Sequence, residues 1–363
     1  MKKLRFAMIG IGHVHAAGMI KDFLNQGEDR VEFLGFADYP YRSPEESEHL
    51  KMNRFQNEDG TYVYPYFENY RDILAQKPDL VLLCADICAH APLAEETLSL
   101  GIHTLIEKPM ALTMADAKRM YRAAKTGGAE LIVNWPVAWF AGFRKAKELA
   151  DAGKVGEILR VQYRSPSTRG PYPLNAYSPE ELSKTWWYQR DKGGGSICDY
   201  AGYGCVLATW ITGKTAKRVF GIKRNYFLPF SDVEDYSLFT IDFGRQVGMI
   251  EGSWSTMSNG EIPTGPVIYG EKGVIVADRF SNEVRVYTDF LPYHPIPPAN
   301  EVHRPAPLTD SLAVNVSRFI LEGEPLFDMI TSAFNMKAMA AFDAGRRSCE
   351  SGAFEEAEDP FAL

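Results

Sequence analysis

The stretch Leu4–His15, with the sequence LRFAMIGIGHVH, decides the fold of the N-terminal third. The mostly apolar run Leu4–Ile9 is typical of a buried β-strand, and Gly10 and Gly12 follow it directly. Beyond them, apolar residues recur at helical spacing until Gly27: Met19, Ile20, Phe23 and Leu24. A strand, a glycine-containing turn and a helix in this order predict a βα unit.

Strands and helices continue to alternate through the first 135 residues. The predicted strands are Val31–Ala37, Leu80–Ala85 and His103–Ile106. One predicted helix is Pro92–Leu100, because proline suits a first helical turn. Another begins at a capping box formed by Thr113 and Asp116 and ends at Gly127. Regular alternation of this kind predicts a parallel, doubly wound α/β sheet.

From residue 136 onward, β-rich runs joined by short turns dominate the sequence. These runs are Ile158–Tyr163, Arg218–Lys223, Tyr236–Phe243, Gln246–Trp254, Val267–Tyr269, Gly273–Ala277 and Glu283–Tyr287. Turns as short as Phe243–Gln246 join antiparallel neighbours, because parallel strands need a longer crossover. We therefore predict two domains, with the parallel sheet in residues 1–135. Residues 136–363 are expected to form an α+β domain with a large, mainly antiparallel sheet.

Composition and charge limit the kind of partner. The 363 residues are 45% apolar and 24% charged, with a formal net charge of -8, which is typical of a globular protein. There is no basic run, so a small molecule is a better expected partner than nucleic acid or a membrane surface. No stretch approaches the roughly 18 apolar residues of a membrane span. The absence of a signal peptide pattern and of any CxxC cysteine pair favours reduced thiols and a cytoplasmic location.

The turn after the first strand has the pattern Gly10-x-Gly12-x-x-His15, without the third glycine of the usual dinucleotide fingerprint. Gly10 permits a tight turn, Gly12 lets a pyrophosphate approach the backbone, and the next helix offers free amides. Asp38 ends the second strand, where a carboxylate can bind both hydroxyls of an adenosine ribose. That favours NAD, while Arg42 nearby leaves NADP open. The alternative is a purely structural turn followed by a solvated acid.

These residues, with the segment Asp79–Pro92 and the tripeptide Glu107–Pro109, resemble the Gfo/Idh/MocA oxidoreductases. That family includes glucose-fructose oxidoreductase and inositol dehydrogenase. Farther along, Gly153–Glu157 and the triple glycine Gly193–Gly195 before Asp199 continue the resemblance. It implies an N-terminal Rossmann domain that binds NAD and a C-terminal open-faced sheet. The exposed side of such a sheet often forms a dimer interface or a substrate wall, so a homodimer or homotetramer is also implied.

The resemblance gives Lys108 the central role. It corresponds to the lysine that contacts the reacting hydroxyl or carbonyl beside the nicotinamide, and the bond before Pro109 is often cis in such proteins. A lysine at the carboxyl end of a parallel strand lies where doubly wound folds bind ligands. An oxidised nicotinamide nearby would lower its pKa by like-charge repulsion. Glu107 is expected to orient the site.

Asp199 and Tyr203 complete the catalytic set that the resemblance implies. Many relatives have histidine four residues after the aspartate, and tyrosine stands there in this chain. Residues four apart share a helical face, so both can contact one substrate. A neighbouring lysine cation is expected to lower the pKa of the Tyr203 phenol. Either Lys108 or Tyr203 then moves the proton, or Tyr203 is a packed aromatic that hydrogen-bonds Lys108.

The remaining candidates line the same predicted cleft. Cofactor contacts are expected from Gly10, Gly12, His13, His15, Asp38, Ala85, His90, Glu107 and Lys108. Substrate contacts are expected from Lys108, Trp186, Trp187, Asp199 and Tyr203, although the two tryptophans also suit a packed core. No metal site is predicted, because the histidines lack a carboxylate or cysteine at ligand spacing.

The expected activity is reversible hydride transfer between NAD and a secondary alcohol or ketone of a sugar, inositol or related polyol. Two alternatives belong to other classes. One is an NAD-assisted glycosidase, which oxidises a sugar hydroxyl transiently and ends without net redox change. The other is an inactive regulator that senses NAD or a sugar.

Overall fold

The computed structural model describes residues 2–39, 55–166, 170–171, 177–256, 262–289 and 298–362. Its first sheet has six parallel strands: β1 Leu4–Ile9, β2 Val31–Ala37, β3 Tyr66–Phe67, β4 Leu80–Leu83, β5 His103–Glu107 and β6 Leu131–Asn134. Their order in space is β3-β2-β1-β4-β5-β6. The strand order reverses at β1, because β2 and β3 extend the sheet on one side of it and β4 to β6 extend it on the other. Doubly wound folds bind their ligands at such a point. The predicted doubly wound sheet is confirmed.

Four helices of the described residues accompany this sheet: α1 Ala16–Leu24, α2 Tyr70–Ala75, α3 Ile87–Ser99 and α4 Met114–Gly127. The predicted start of α3 at Pro92 is wrong. The carboxylate of Asp86 accepts a hydrogen bond from the Ala89 backbone and caps the helix, so Pro92 lies inside it. Thr113 caps α4 as predicted, but the helix includes Gly127, and Gly128 takes the left-handed conformation that ends it.

The second sheet has nine strands. They are β7 Ile158–Pro166, β8 Arg218–Arg224, β9 Tyr236–Asp242, β10 Val247–Ser253, β11 Val267–Gly270, β12 Gly273–Ala277, β13 Val284–Tyr287, β14 Glu301–His303 and β15 Glu355–Glu356. Their order is β14-β13-β12-β11-β7-β10-β9-β8-β15. The β7–β10 pair is parallel and the other described pairs are antiparallel, which confirms the predicted mainly antiparallel sheet.

The described part of the second half contains five helices, of which only some pack on this sheet. The five are α5 Ala141–Asp151, α6 Pro179–Ser183, α7 Gly202–Thr212, α8 Leu312–Glu322 and α9 Ser332–Ser351. α7 packs on β7 and β10, and α9 packs on β8. The opposite face is open: along β10, Ile250 is buried while Met249 on the other side is exposed.

Two features hold the halves together and shape the site between them. Trp135, directly after β6, donates from its indole nitrogen to Asn335 Oδ1 on α9 at 2.6 Å. The second feature is a set of short non-α segments, two of which reach the site: the 3-10 helix Trp186–Tyr188 contacts Gly12, and the π-helix Ile197–Ala201 carries Asp199. Further 3-10 helices lie at Pro136–Trp139, Arg190–Lys192 and Asp328–Ile330. Within the described parts of the chain, no helix is long and apolar enough to cross a membrane.

Candidate active site

Lys108 and Asp199 form a buried ion pair between the two halves. Lys108 follows β5 at the carboxyl edge of the parallel sheet, and its bond to Pro109 is cis, as the resemblance implied. Its Nζ donates to Asp199 Oδ1 at 2.6 Å and to the Asp199 carbonyl at 3.0 Å. The two side chains are only 3% and 9% exposed. Two predicted site residues that lie 91 positions apart are therefore in direct contact.

The glycines before Asp199 make this contact possible. Gly193 and Gly195 have φ values of 92° and 102°, and a Cβ at Gly194 would lie 2.3 Å from the Trp187 carbonyl. Behind the turn, Glu234 accepts a hydrogen bond from the Ile197 backbone at 2.8 Å. These contacts fix the start of the π-helix Ile197–Ala201, which carries Asp199. Glu234 is a structural support that the sequence did not reveal.

Tyr203 contacts Lys108 with its ring. The ammonium lies 4.9 Å from the ring centroid, within the range of a cation–π interaction. In the described structure no hydrogen bond joins Lys108 to the Tyr203 hydroxyl. Burial raises the pKa of the Tyr203 phenol well above its ordinary value, and this effect exceeds the opposing one of Lys108. Lys108 does act to lower this pKa, as expected, but burial outweighs it and the net pKa is raised.

The charge of Lys108 is stabilised despite burial. Desolvation disfavours the ammonium, but the Asp199 carboxylate, Tyr203 and Glu107 act in the other direction. Together they hold the pKa of Lys108 above its ordinary value. Without a bound ligand, Lys108 is thus a cation at neutral pH.

Trp254 is a contact that the sequence analysis missed. It follows β10, and its indole Nε1 donates to Asp199 Oδ2 at 2.8 Å. Only 2% of Trp254 is exposed. Both oxygens of the Asp199 carboxylate are therefore occupied, one by Lys108 and one by Trp254. The sequence showed Trp254 only as the last residue of a predicted strand, which carries no signal for this role.

The glycine turn has the shape expected of a dinucleotide cradle. Gly10 has a φ of 78°, and a Cβ there would lie 2.9 Å from the backbone nitrogen of Ala85. Glycine is needed at that position for the fold itself. At Gly12 the nearest atoms to an added Cβ are 3.7 Å away, so the fold alone does not demand glycine there. An added Cβ would be in ordinary van der Waals contact with Trp186 and Tyr39.

Glu107 brings together two histidines of the turn. His15 Nδ1 lies 3.2 Å from Glu107 Oε1, which also accepts from Asn134 at 2.8 Å. His13 Nε2 lies 3.9 Å from Glu107 Oε2. Burial raises the pKa of Glu107, but the histidines and Lys108 outweigh it and hold the pKa below its ordinary value. The sequence showed no carboxylate at ligand spacing from these histidines, but the folded chain places the Glu107 carboxylate beside both of them.

The hydrogen bonds at His13 decide what this cluster can bind. Its Nδ1 accepts from the His15 backbone at 3.1 Å, so Nε2 carries the proton of the neutral ring. Burial lowers the pKa of His13 well below its ordinary value and keeps the ring neutral. Nε2 is buried without a hydrogen-bond partner in the described structure. This arrangement offers a donor for a ligand oxygen, whereas a metal would need the lone pair of Nε2.

The other predicted cofactor residues lie around the same edge. Asp38 directly follows β2. The hydroxyl of the next residue, Tyr39, donates to Asp86 Oδ2 at 2.9 Å. His90 is buried on α3, where its Nδ1 lies 3.3 Å from the Met110 carbonyl. Arg42 falls outside the described residues.

Trp186 and Trp187 are packed against the glycine turn. Their rings stack with centroids 3.9 Å apart, and Trp187 lies 5.0 Å from the His13 ring. Trp186 donates from Nε1 to the Gly12 carbonyl at 2.7 Å. Both rings are buried, so neither presents an open face on which a sugar can stack.

Comparison with known families agrees with this architecture. Residues 4–135 match the family described as "Oxidoreductase family, NAD-binding Rossmann fold", and residues 143–276 match the "GFO/IDH/MocA C-terminal domain". The chain belongs to this GFO/IDH/MocA oxidoreductase family. The predicted family and the predicted NAD cofactor are confirmed.

Individual relatives are distant. An uncharacterized oxidoreductase of Synechocystis is 23% identical over 66% of this chain and 65% of its own length. A myo-inositol 2-dehydrogenase of Thermotoga maritima is 28% identical over 39% of this chain and 38% of its own. The chain thus spans less than two thirds of these curated relatives.

Among solved structures, an aldose-aldose oxidoreductase from Caulobacter crescentus, complexed with glycerol, has a TM-score of 0.74. It is 22% identical, and the match covers 98% of this chain and 100% of that one. At this identity the likeness shows the shared fold alone.

Proposed function

We propose that the protein is an NAD-dependent oxidoreductase that acts on a secondary alcohol or ketone of a sugar, inositol or related polyol. The observation that carries this proposal is the buried Lys108–Asp199 pair at the carboxyl edge of the parallel sheet. It lies beside the glycine turn, where doubly wound folds bind their ligands. The sugar and inositol enzymes among the relatives support the substrate class.

Bound NAD supplies the acceptor or donor of the hydride, and the protein supplies orientation and charge. The residues that would hold the dinucleotide are Gly10, Gly12, His13 and Asp38. The unpartnered Nε2–H of His13 and the left-handed glycine turn at Gly10 both fit such a ligand. Asp38 favours NAD over NADP, and a comparison of the two cofactors tests that preference.

Lys108 acts on the oxygen of the reacting carbon. Two of its three ammonium protons are directed at Asp199, which leaves one for a substrate oxygen. In alcohol oxidation, the amine takes the hydroxyl proton and the resulting ammonium stabilises negative charge on that oxygen. Carbonyl reduction runs the same proton transfer in reverse. Repulsion from a bound cationic nicotinamide lowers the pKa of Lys108 toward the working range.

Tyr203 supports this step through its ring. Its face lies over the ammonium, and its buried hydroxyl has a strongly raised pKa. We therefore assign the proton transfer to Lys108 and the stabilisation of its cationic form to Tyr203. Asp199 is the charge partner of Lys108.

The setting we propose is the cytoplasm, with assembly through the open face of the second sheet. All five cysteines are free, which suits a reducing compartment. Leu159 and Met249 are each 36% exposed on strands of that sheet. A homodimer or homotetramer would cover them, and light scattering coupled to size-exclusion chromatography measures the assembly.

A panel of sugars, inositols and polyols with NAD, followed by NADH absorbance, tests the activity. We expect reduction of NAD by at least one member, and loss of that activity in K108M while NAD still binds by calorimetry. Release of an aglycone from aryl glycosides without net NADH would instead indicate the transient-oxidation glycosidase. Binding of NAD without turnover of any compound would indicate a regulator, and activity retained in K108M would contradict the role of Lys108.

A further inference from the structure

We propose that Trp254 is a positioning residue that divides the charge of Asp199, so that Lys108 is held by one carboxylate oxygen and remains able to give up its proton. The inference rests on the proposed function in that Lys108 is the group that moves the proton. The contact itself lies outside the dinucleotide cradle and comes from the second sheet.

The geometry leaves Asp199 a single orientation. Oδ1 accepts from Lys108 at 2.6 Å and Oδ2 accepts from the Trp254 indole at 2.8 Å. A carboxylate with both oxygens engaged by groups on different elements cannot rotate toward the ammonium as a two-oxygen acceptor. Asp199 is therefore a fixed charge partner, and its predicted role in binding substrate would require it to leave one of these two groups.

Trp254 is itself anchored to the second sheet. Its backbone nitrogen donates to the Asp235 carbonyl at 2.7 Å, and its ring packs at 5.6 Å from that of Tyr188. The Asp235 carboxylate accepts from the backbone nitrogens of Tyr226 and Phe227, which fixes the neighbouring loop. The indole N–H thus has a defined position before any ligand binds.

The consequence for Lys108 follows from charge balance. An N–H donor on Oδ2 stabilises negative charge there and leaves less on Oδ1 for the ammonium. Without that donor, the charge would concentrate on the Lys108 side and the ammonium would hold its proton more tightly. In alcohol oxidation Lys108 must be neutral to accept the hydroxyl proton, so the indole favours the reactive form.

Other ionisable groups act on this pair from every neighbouring element. They are Glu107 on β5, Tyr203 on α7, Tyr163 on β7, Tyr188 in the 3-10 helix, Cys198 in the π-helix and His13 in the glycine turn. The variant W254F leaves all six in place. A change in the titration of Lys108 in W254F can then be assigned to the indole.

The direct test is the titration of Lys108 in the NAD complex, which needs no substrate. The protein is labelled with 13C at lysine Cε, and the Lys108 resonance is identified as the one that is missing from the spectrum of K108M. We expect W254F to shift its titration upward by about one pH unit, because the full charge of Asp199 then acts on the ammonium. W254H, which restores a ring N–H, should return part of the shift. An unchanged titration in W254F would overturn the proposal.

Kinetics separates this role from a merely structural one. In alcohol oxidation, kcat should rise with pH as Lys108 loses its proton. Below that rise, W254F should lower kcat about tenfold with little change in KM, and the difference should shrink as pH increases. The matched control is W135F, which removes another buried indole donor, bonded to Asn335, but keeps an aromatic ring against Tyr203. It should leave the pH at which kcat rises unchanged. A loss in W254F that is equal at every pH would count against the proposal.

A measurement on the unsubstituted tryptophan covers the case in which W254F does not fold. Lys108 and Trp254 share one carboxylate, so the indole 1H–15N resonance of Trp254 should move in K108M. No movement would overturn the proposal. If the resonances behave as expected but no substrate is turned over, the positioning role stands and the proposed function fails.

Discussion

The Lys108 ammonium lies over the Tyr203 ring, 4.9 Å from its centre. The tyrosine therefore stabilises the cation through its π-system, while no hydrogen bond joins its hydroxyl to Lys108 in the described structure. A ring can be kept when the hydroxyl is removed, which makes the two roles separable by substitution.

Y203F should retain activity within about tenfold of the unsubstituted protein, because the ring over Lys108 is preserved. Y203L should lose more, since a cation–π contact of a desolvated lysine is worth about 2 kcal/mol. Steady-state kcat/KM with NAD and the best substrate of the panel measures both. If Y203F were as inactive as K108M, the hydroxyl would be the group that moves the proton.

The two glycines of the turn should respond differently to alanine. G10A should destabilise the fold by about 1–3 kcal/mol, because φ is 78° and the Cβ would meet Ala85 at 2.9 Å. G12A should cost less stability than G10A, because its Cβ would lie 3.7 Å from the nearest atoms, an ordinary contact distance. It should nevertheless weaken NAD binding, because the methyl group occupies the approach to the backbone. Urea unfolding and calorimetry measure the two effects, and unchanged NAD affinity in G12A would contradict the cradle.

Stability should fall on acidification through His13. Its pKa in the folded state lies well below 6.5, so below pH 6.5 the unfolded chain takes up a proton that the folded protein does not. H13N keeps an acceptor for the His15 backbone and cannot titrate. The slope of the unfolding free energy with pH should decrease by up to about 1.4 kcal/mol per unit in H13N. An identical slope in both proteins would show that His13 is protonated when folded.

Glu107 should change stability in the same direction as His13, but over a more acidic range of pH. Its pKa is lower in the folded protein, so its stabilisation is fully present above the unfolded-state value of about 4.3 and declines as pH falls below it. E107Q should therefore be less stable at neutral pH by about 1–3 kcal/mol. The difference from the unsubstituted protein should narrow in acid. Thermal unfolding from neutral to acid pH checks this, and a constant difference would contradict it.

Local sequence signals predicted most strands and the glycine turn, because alternation and apolar runs depend on neighbouring residues. The start of α3 was wrong because Asp86 is a stronger helix signal than the position of Pro92. The contact of the Trp254 indole with Asp199 joins residues 55 positions apart. The contact of the His15 imidazole with Glu107 joins residues 92 positions apart. No local pattern encodes such contacts, since the packing of the two halves creates them. The pKa of Tyr203 was misjudged for the same reason: its burial is a property of the assembled cleft.

The indole of Trp186 donates to the Gly12 carbonyl and so lies against the turn on which a dinucleotide would rest. Tryptophan emission overlaps the absorption of reduced nicotinamide. Excitation at the indole band should consequently transfer energy to NADH, and the sensitised emission would serve as an optical titration of occupancy that requires no knowledge of the substrate.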